Sequence, residues 1–117
     1  MDEEPTALAS LEQLLVGGEA LSVQHIRRAW DSLPNVEIVN SYGPTEATVF
    51  ACAYRIPKKP EATATSIPIG RPIGNAKAYI LDQNLQPVPI GTTGDLYLGG
   101  AGLARGYRCL LYTSRCV

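Results

Sequence analysis

The sequence predicts an α/β fold that is part of a larger βαβ sheet, and three observations predict it. A strand-like apolar run, Leu11 to Val16, leads into the turn residues Gly17-Gly18-Glu19 and then into a stretch with helical spacing. A second strand-like run, Val36-Glu37-Ile38-Val39, follows that stretch. It delivers a polar cluster, Asn40-Ser41-Tyr42-Gly43-Pro44-Thr45-Glu46, at its carboxyl end, where open α/β sheets bind ligands.

Each element has a local reason. Leu11 to Val16 is short, apolar and closed by glycine, which marks a strand ending in a turn. Ser22 can cap a helix from Val23 to about Leu33, with Val23, Ile26 and Trp30 near helical spacing. Pro34 and Asn35 stop it. Val36 to Val39 is β-branched and apolar enough for a strand buried on both faces, and the same holds for Leu11 to Val16.

Beyond the cluster the character changes. Val49 to Ile56 is apolar and β-prone. Pro57 to Pro60 is a basic, proline-bounded loop, and Glu61 to Ser66 is small and polar. Ile67 to Gly74 is rich in turns. Ala76 to Leu81 reads as a strand, Asp82-Gln83-Asn84 as a hairpin turn, and Leu85 to Val88 as its return. Gly94 to Gly99 alternates as a last strand. Short strands joined by glycine and proline predict a small β-barrel-like subdomain. The expected division is residues 1–56, an α/β part carrying the polar cluster; residues 57–107, a β-rich part; and residues 108–117, a tail.

Composition excludes several functions. The chain has 117 residues, 45% of them hydrophobic, and a formal net charge of −1. That is enough for one small domain or a piece of a larger one. No basic block supplies the footprint of a nucleic-acid binder. No run of about 20 apolar residues could span a membrane. The acidic start, Met1-Asp2-Glu3-Glu4-Pro5, is unlike a signal peptide, so a cytoplasmic location is expected. Cys52 lies in an apolar run and is expected in a core. Cys109 and Cys116 have no His or acidic neighbour that would complete a metal site.

The polar cluster holds what a nucleotide needs. Tyr42 offers a flat face for a base and Asn40 an amide for its edge. Gly43-Pro44 forces a turn, Thr45 offers a hydroxyl to phosphate, and Glu46 offers a hard carboxylate oxygen to Mg²⁺. Singly, each has a plain structural reading: a rim tyrosine, or a Thr-Glu pair at a helix start. Together in seven residues they are specific. Gly17-Gly18-Glu19 lets backbone approach a ligand or simply turns the chain. It is not a P-loop, because the GxxxxGK[ST] spacing is absent. His25, beside Arg27 and Arg28, reads as a solvated helix residue. Gly99 to Tyr107 is a glycine-rich loop, either a flexible turn or a phosphate contact.

Asn40 to Glu46 resembles the nucleotide-binding motif of adenylation domains of non-ribosomal peptide synthetases, in the acyl-CoA ligase and luciferase superfamily. Gly94-Asp95-Leu96-Tyr97-Leu98-Gly99-Gly100-Ala101-Gly102-Leu103-Ala104-Arg105-Gly106-Tyr107 resembles the next motif of that family, and Ile69-Gly70-Arg71-Pro72-Ile73 the segment between them. The likeness covers nearly all of residues 8 to 107 and implies a fragment of the large N-terminal subdomain of an AMP-forming ligase. Such domains convert an amino acid and ATP into aminoacyl-AMP, then load a carrier-protein phosphopantetheine. A peptidyl carrier protein and a condensation domain would be the partners.

By that resemblance Tyr42 stacks on adenine, Asn40 bonds its exocyclic amine, Thr45 contacts phosphate and Glu46 holds Mg²⁺, so Thr45 and Glu46 are the catalytic pair. ATP/AMP contacts are expected at Gly18, Glu19, Asn40, Ser41, Tyr42, Gly43 and Thr45. Leu15, Gly17, Ser41, Val49 and Phe50 fall at positions that line the family's substrate pocket. None is charged, so an uncharged, apolar amino acid is expected. The family's phosphate-binding loop, substrate-binding aspartate and catalytic lysine have no counterpart in these residues. The chain is therefore expected to be an internal fragment, inactive and marginally stable by itself. Residues 108–117 do not resemble the family. Two alternatives stay open: a fatty-acyl or aryl-CoA ligase fragment, which shares the Tyr-Gly and Thr-Glu core, and a non-catalytic nucleotide-binding module.

Overall fold

A computed structural model describes residues 5–58 and 63–107. The tail 108–117, with Cys109 and Cys116, and part of the loops expected around residues 57–66 lie outside the described residues. The chain forms two compact units, Met1–Tyr42 with Ala53–Gly70, and Gly43–Cys52 with Arg71–Val117.

The first unit is built on one βαβ crossover. Strand β1 (Gln13–Gly17) leads to helix α1 (Val23–Ser32), and α1 leads to strand β2 (Glu37–Tyr42). The two strands pair in parallel, Gln13 opposite Glu37 and Gly17 opposite Ser41. Parallel neighbours need such a crossover, because a tight turn cannot reverse the chain twice. The helix begins where the sequence predicts. The Ser22 side chain accepts from the His25 N–H at 3.5 Å, and the Ser22 carbonyl accepts from Ile26 N–H at 3.1 Å. Ile26, Ala29 and Trp30 recur at helical spacing and are buried, while His25 is exposed. Leu33 closes the end, its N–H donating to Ala29 O at 2.8 Å.

The apolar face of α1 packs on Ile38, which has 0% exposure, and on Ile56, with Val16, Leu21, Tyr54 and Ile67 around them. Burying side chains of this size contributes about 1.5–3 kcal/mol each. Strand β3 (Cys52–Arg55) is the neighbour of β2 on the side away from β1. The Ile56 N–H donates to Ile38 O at 2.9 Å. Glu37 meets Arg55 at 3.3 Å and accepts from the Gln13 amide, an exposed grouping of little energetic weight.

Two expectations need correction here. β2 runs on through Asn40, Ser41 and Tyr42 rather than stopping at Val39, because β1 supplies partners as far as Gly17. And β1 is not buried on both faces. It is the outermost strand of the order, and its residues alternate between exposed and half-buried, with Leu15 at 48%.

The second unit holds a short strand, β4 (Arg71–Pro72), and an antiparallel pair, β5 (Ala76–Leu81) and β6 (Asp95–Gly100). Asp82 makes the turn after β5. Its Oδ1 accepts from the N–H groups of Asn84 and Gln86 at 2.8 and 2.9 Å, the local bonding that suits aspartate to turns. The return beyond Leu85 is a bridge between Leu81 and Pro87, not a strand. Pro87 and Pro89 have no N–H to give a ladder. The Val49–Ile56 run is also shorter as a strand than its composition suggests. Thr48 and Val49 take left-handed backbone, φ 53° and 70°, which no strand can contain.

Candidate functional site

In the first unit the candidates sit on the ends of β1 and β2. Alternation along β2 puts Ile38, Asn40 and Tyr42 on the α1 side and Val39 and Ser41 on the opposite side. The parallel register sets Leu15 beside Val39 and Gly17 beside Ser41, so Leu15, Gly17 and Ser41 share that opposite side. The expected base contacts and the expected pocket residues of this unit are thus separated by the sheet itself.

Asn40 is 5% exposed, and its Nδ2 donates to Pro68 O at 2.8 Å. That bond fixes which way the amide faces. With the nitrogen committed to a carbonyl, Oδ1 is the end left to accept a hydrogen bond. Tyr42 lies two residues on and is 38% exposed. Ser41 is 3% exposed, and its Oγ has no hydrogen-bond partner among the described residues. Gly17 is required beside it, since a Cβ there would stand 2.1 Å from Ser41 O. Gly18 turns the chain away with φ 101°, and Glu19 is exposed.

In the second unit the cluster continues as a single 3₁₀ turn, Thr45–Ala47, entered through extended Pro44. Gly43 must be glycine. A Cβ there would lie 2.7–2.8 Å from Ala51 N, Phe50 Cα and Val49 O. Thr45 is exposed and Glu46 half-buried. Thr48 and Val49 then hold successive left-handed conformations, each costing a β-branched residue about 1–2 kcal/mol. Phe50 lines a hollow of about 220 Å³ together with Thr48, Asn75, Ala76 and Leu103, whereas Val49 is 61% exposed and is not part of its lining.

The strain at Thr48 and Val49 is met by the glycine-rich loop. Ala104 N–H donates to Glu46 O at 2.7 Å, Thr48 Oγ1 donates to Gly102 O at 2.6 Å, and Tyr107 Oη donates to Glu46 Oε1 at 3.1 Å. The loop after β6 is therefore tied to the cluster rather than being a free turn. Sequence reasoning missed Tyr107 in this role. The signal available was the resemblance of residues 94–107 to a second motif, which says nothing of what the motif touches. It also missed Pro68, whose contribution is a carbonyl that any residue could supply.

Glu46 is a suitable ligand for a hard cation. Mg²⁺ is usually held by one or two carboxylates, with waters and substrate phosphates completing the shell. The Tyr107 bond takes one of roughly four acceptor positions on the carboxylate. No cluster of three or more His, Cys, Asp or Glu that could hold a metal ion exists among the described residues. Cys52 is 1% exposed, and burial pushes its thiol above the ordinary value. No helix among the described residues is long and apolar enough to cross a membrane.

Comparison with known proteins identifies the family. The model of the AMP-binding enzyme family matches residues 1–108, and the chain belongs to that family. Its relatives include several large synthases and synthetases. It is 52% identical over 105 residues to tyrocidine synthase 3 of Brevibacillus parabrevis, covering 90% of this chain and 2% of that protein. It is 44% identical over 100 residues to malpinin synthetase of Mortierella alpina, covering 86% and 1%. Among solved structures, PA1221, an NRPS protein containing adenylation and PCP domains, matches with TM-score 0.80 and 40% identity, covering 92% of this chain and 22% of that one. The N-terminal subdomain of Klebsiella oxytoca NpsA, in complex with 3-hydroxybenzoyl-AMSN, matches with TM-score 0.78 and 25% identity, covering 92% and 27%. The chain thus spans a small part of the relatives it matches.

Proposed function

We propose that this chain is the nucleotide-binding segment of an amino-acid adenylation domain, working with ATP and Mg²⁺. The observation that carries the reading is the bond from Asn40 Nδ2 to Pro68 O. It leaves a buried amide oxygen to accept from an amino group, the feature that separates adenine from guanine at that edge. Tyr42, beside it, offers its exposed ring to the face of the base. Thr45 donates to a phosphate oxygen. Glu46 is the residue of this chain that would hold the cation, and the chemistry the cation would supply there is neutralisation of phosphate charge. The substrate carboxylate oxygen forms a bond to the α-phosphorus as the bond to pyrophosphate breaks, and the residues named here contribute by alignment.

Gly18, Glu19, Ser41 and Gly43 complete the nucleotide contacts in this reading. Leu15, Gly17, Ser41, Val49 and Phe50 form part of a pocket for an uncharged, apolar amino acid. Residues 1–56 form the end of an α/β subdomain, residues 57–107 belong to a small barrel-like β-subdomain, and residues 108–117 are a tail unlike the family. The phosphopantetheine thiol of a peptidyl carrier protein takes the aminoacyl group and AMP leaves, and a condensation domain is the other partner, in a cytoplasmic synthetase.

The test is ATP–pyrophosphate exchange by the complete enzyme that carries this segment, across the amino acids. Exchange with an apolar amino acid is expected. A preference for Asp, Glu, Lys or Arg overturns the substrate class. Acyl-CoA formation from a fatty or aryl acid, without amino-acid exchange, overturns the reaction assigned. Nucleotide binding in calorimetry with no exchange at all leaves a binding module only.

A further inference from the structure

We propose that Tyr107 is a positioning residue for the Glu46 carboxylate, the last hook of a clasp by which the glycine-rich loop sets the geometry of the cation ligand. The inference rests on the reading of Glu46 as the Mg²⁺ ligand and adds a residue to which that reading assigns no part. Glu46 sits in a three-residue 3₁₀ turn followed by two left-handed β-branched residues. So short a turn with so strained an exit does not hold its own shape. The chain 54 to 61 residues further on holds it instead. Ala104 N–H fixes the Glu46 carbonyl at 2.7 Å, and Gly102 O takes the Thr48 hydroxyl at 2.6 Å.

These two bonds place the backbone. They leave the glutamate side chain its rotamer freedom, and a ligand with three free torsions must be ordered when a cation arrives. The Tyr107 hydroxyl acts on that freedom, donating to Oε1 at 3.1 Å. A hydrogen bond to a charged acceptor is stronger than one between neutral groups. Pre-ordering of this kind improves affinity by removing a cost of binding, without any new contact to the ligand. Tyr107 is 41% exposed, so removing its hydroxyl leaves a ring at the surface and no hole in a core.

The experiment uses the complete enzyme and Tyr107→Phe, Glu46→Gln and the double variant. Calorimetric titration with ATP is run with Mg²⁺ and with EDTA, and the Mg²⁺ requirement of pyrophosphate exchange is measured beside it. Tyr107→Phe is expected to weaken Mg·ATP binding about 5- to 20-fold, to leave metal-free ATP binding within about twofold, and to raise the Mg²⁺ requirement by the same factor. In the Glu46→Gln background the further change to Phe is expected to add no loss. Equal losses with and without Mg²⁺, no loss at all, or an undiminished loss in the Glu46→Gln background would each overturn the proposal while the role of Glu46 stood. If the unaltered enzyme bound ATP equally with and without Mg²⁺, the reading of Glu46 itself would fall, and this proposal with it.

Discussion

Gly43 sits in the middle of the polar cluster, and the structure gives its replacement a definite cost. A Cβ there would approach three backbone atoms to 2.7–2.8 Å, where contact becomes ordinary only beyond 3.4 Å. The shortfall is roughly 0.7 Å, and no side chain can swing away to relieve it, because every atom met is main chain. Overpacking of this kind costs about 1–3 kcal/mol, with backbone-only contacts at the upper end. Gly43 is not among the residues of positive φ, so the cost is steric alone. Two other glycines complete a graded series. Gly18 has open space around it but φ 101°, so Gly18→Ala is expected to cost about 1 kcal/mol through backbone strain. Gly74 has open space and no positive φ, so Gly74→Ala is expected to stay within about 0.5 kcal/mol of the original. The assay is thermal unfolding of the complete enzyme, where 1 kcal/mol moves Tm by about 2–4 °C in a domain of 150–250 residues. Gly43→Ala is then expected to lower Tm by roughly 5–10 °C, Gly18→Ala by about 2–4 °C, and Gly74→Ala by less than about 2 °C. A Gly43→Ala enzyme that melts with Gly74→Ala would refute the argument from backbone contact.

Asn40→Asp should destabilise more than Asn40→Ala. It sets a carboxylate oxygen against Pro68 O where an N–H now donates, and like-for-like melting of the two variants checks the order. Both variants should also lose selectivity for ATP over GTP in competition binding. Ser41→Ala should be neutral or raise Tm slightly, because the hydroxyl removed is buried without a partner among the described residues; a fall of about 1 kcal/mol or more in stability would mean the hydroxyl is satisfied after all. For Cys52, burial favours the neutral thiol, so the unfolded chain loses its proton first, near pH 8.5. Its contribution is therefore fully present below that pH and declines as pH rises toward the elevated native value. Denaturation at pH 7.5 and 9.5, compared with Cys52→Ala, should show a drop that the variant lacks.

Much of the first unit could be read directly from the chain. Ser22, the spacing of Val23, Ile26 and Trp30, and Pro34 act within a few residues of one another, so helix α1 falls where they put it. The limits of the strands were less legible. β2 extends to Tyr42 because β1 pairs with it as far as Gly17, a condition set 24 residues away. The apolar run from Val49 suggests a strand by composition, yet Val49 and Thr48 before it are left-handed turn, since the clasp from residues 102–107 offsets the strain.

The sequence alone settled which chemical groups stand at the carboxyl end of the second strand and just beyond it, because consecutive residues stay in one short stretch of chain however it folds. Tertiary structure decided how those groups are aimed: which end of the Asn40 amide is left to accept, which side of the sheet Ser41 takes, and what holds the Glu46 carboxylate. Aim depends on bonds to Pro68, Gly102, Ala104 and Tyr107, which lie 28 to 61 residues away. Two of those partners, Pro68 and Gly102, act through a bare carbonyl and Ala104 through its N–H, and main-chain groups leave no residue type for a sequence to display.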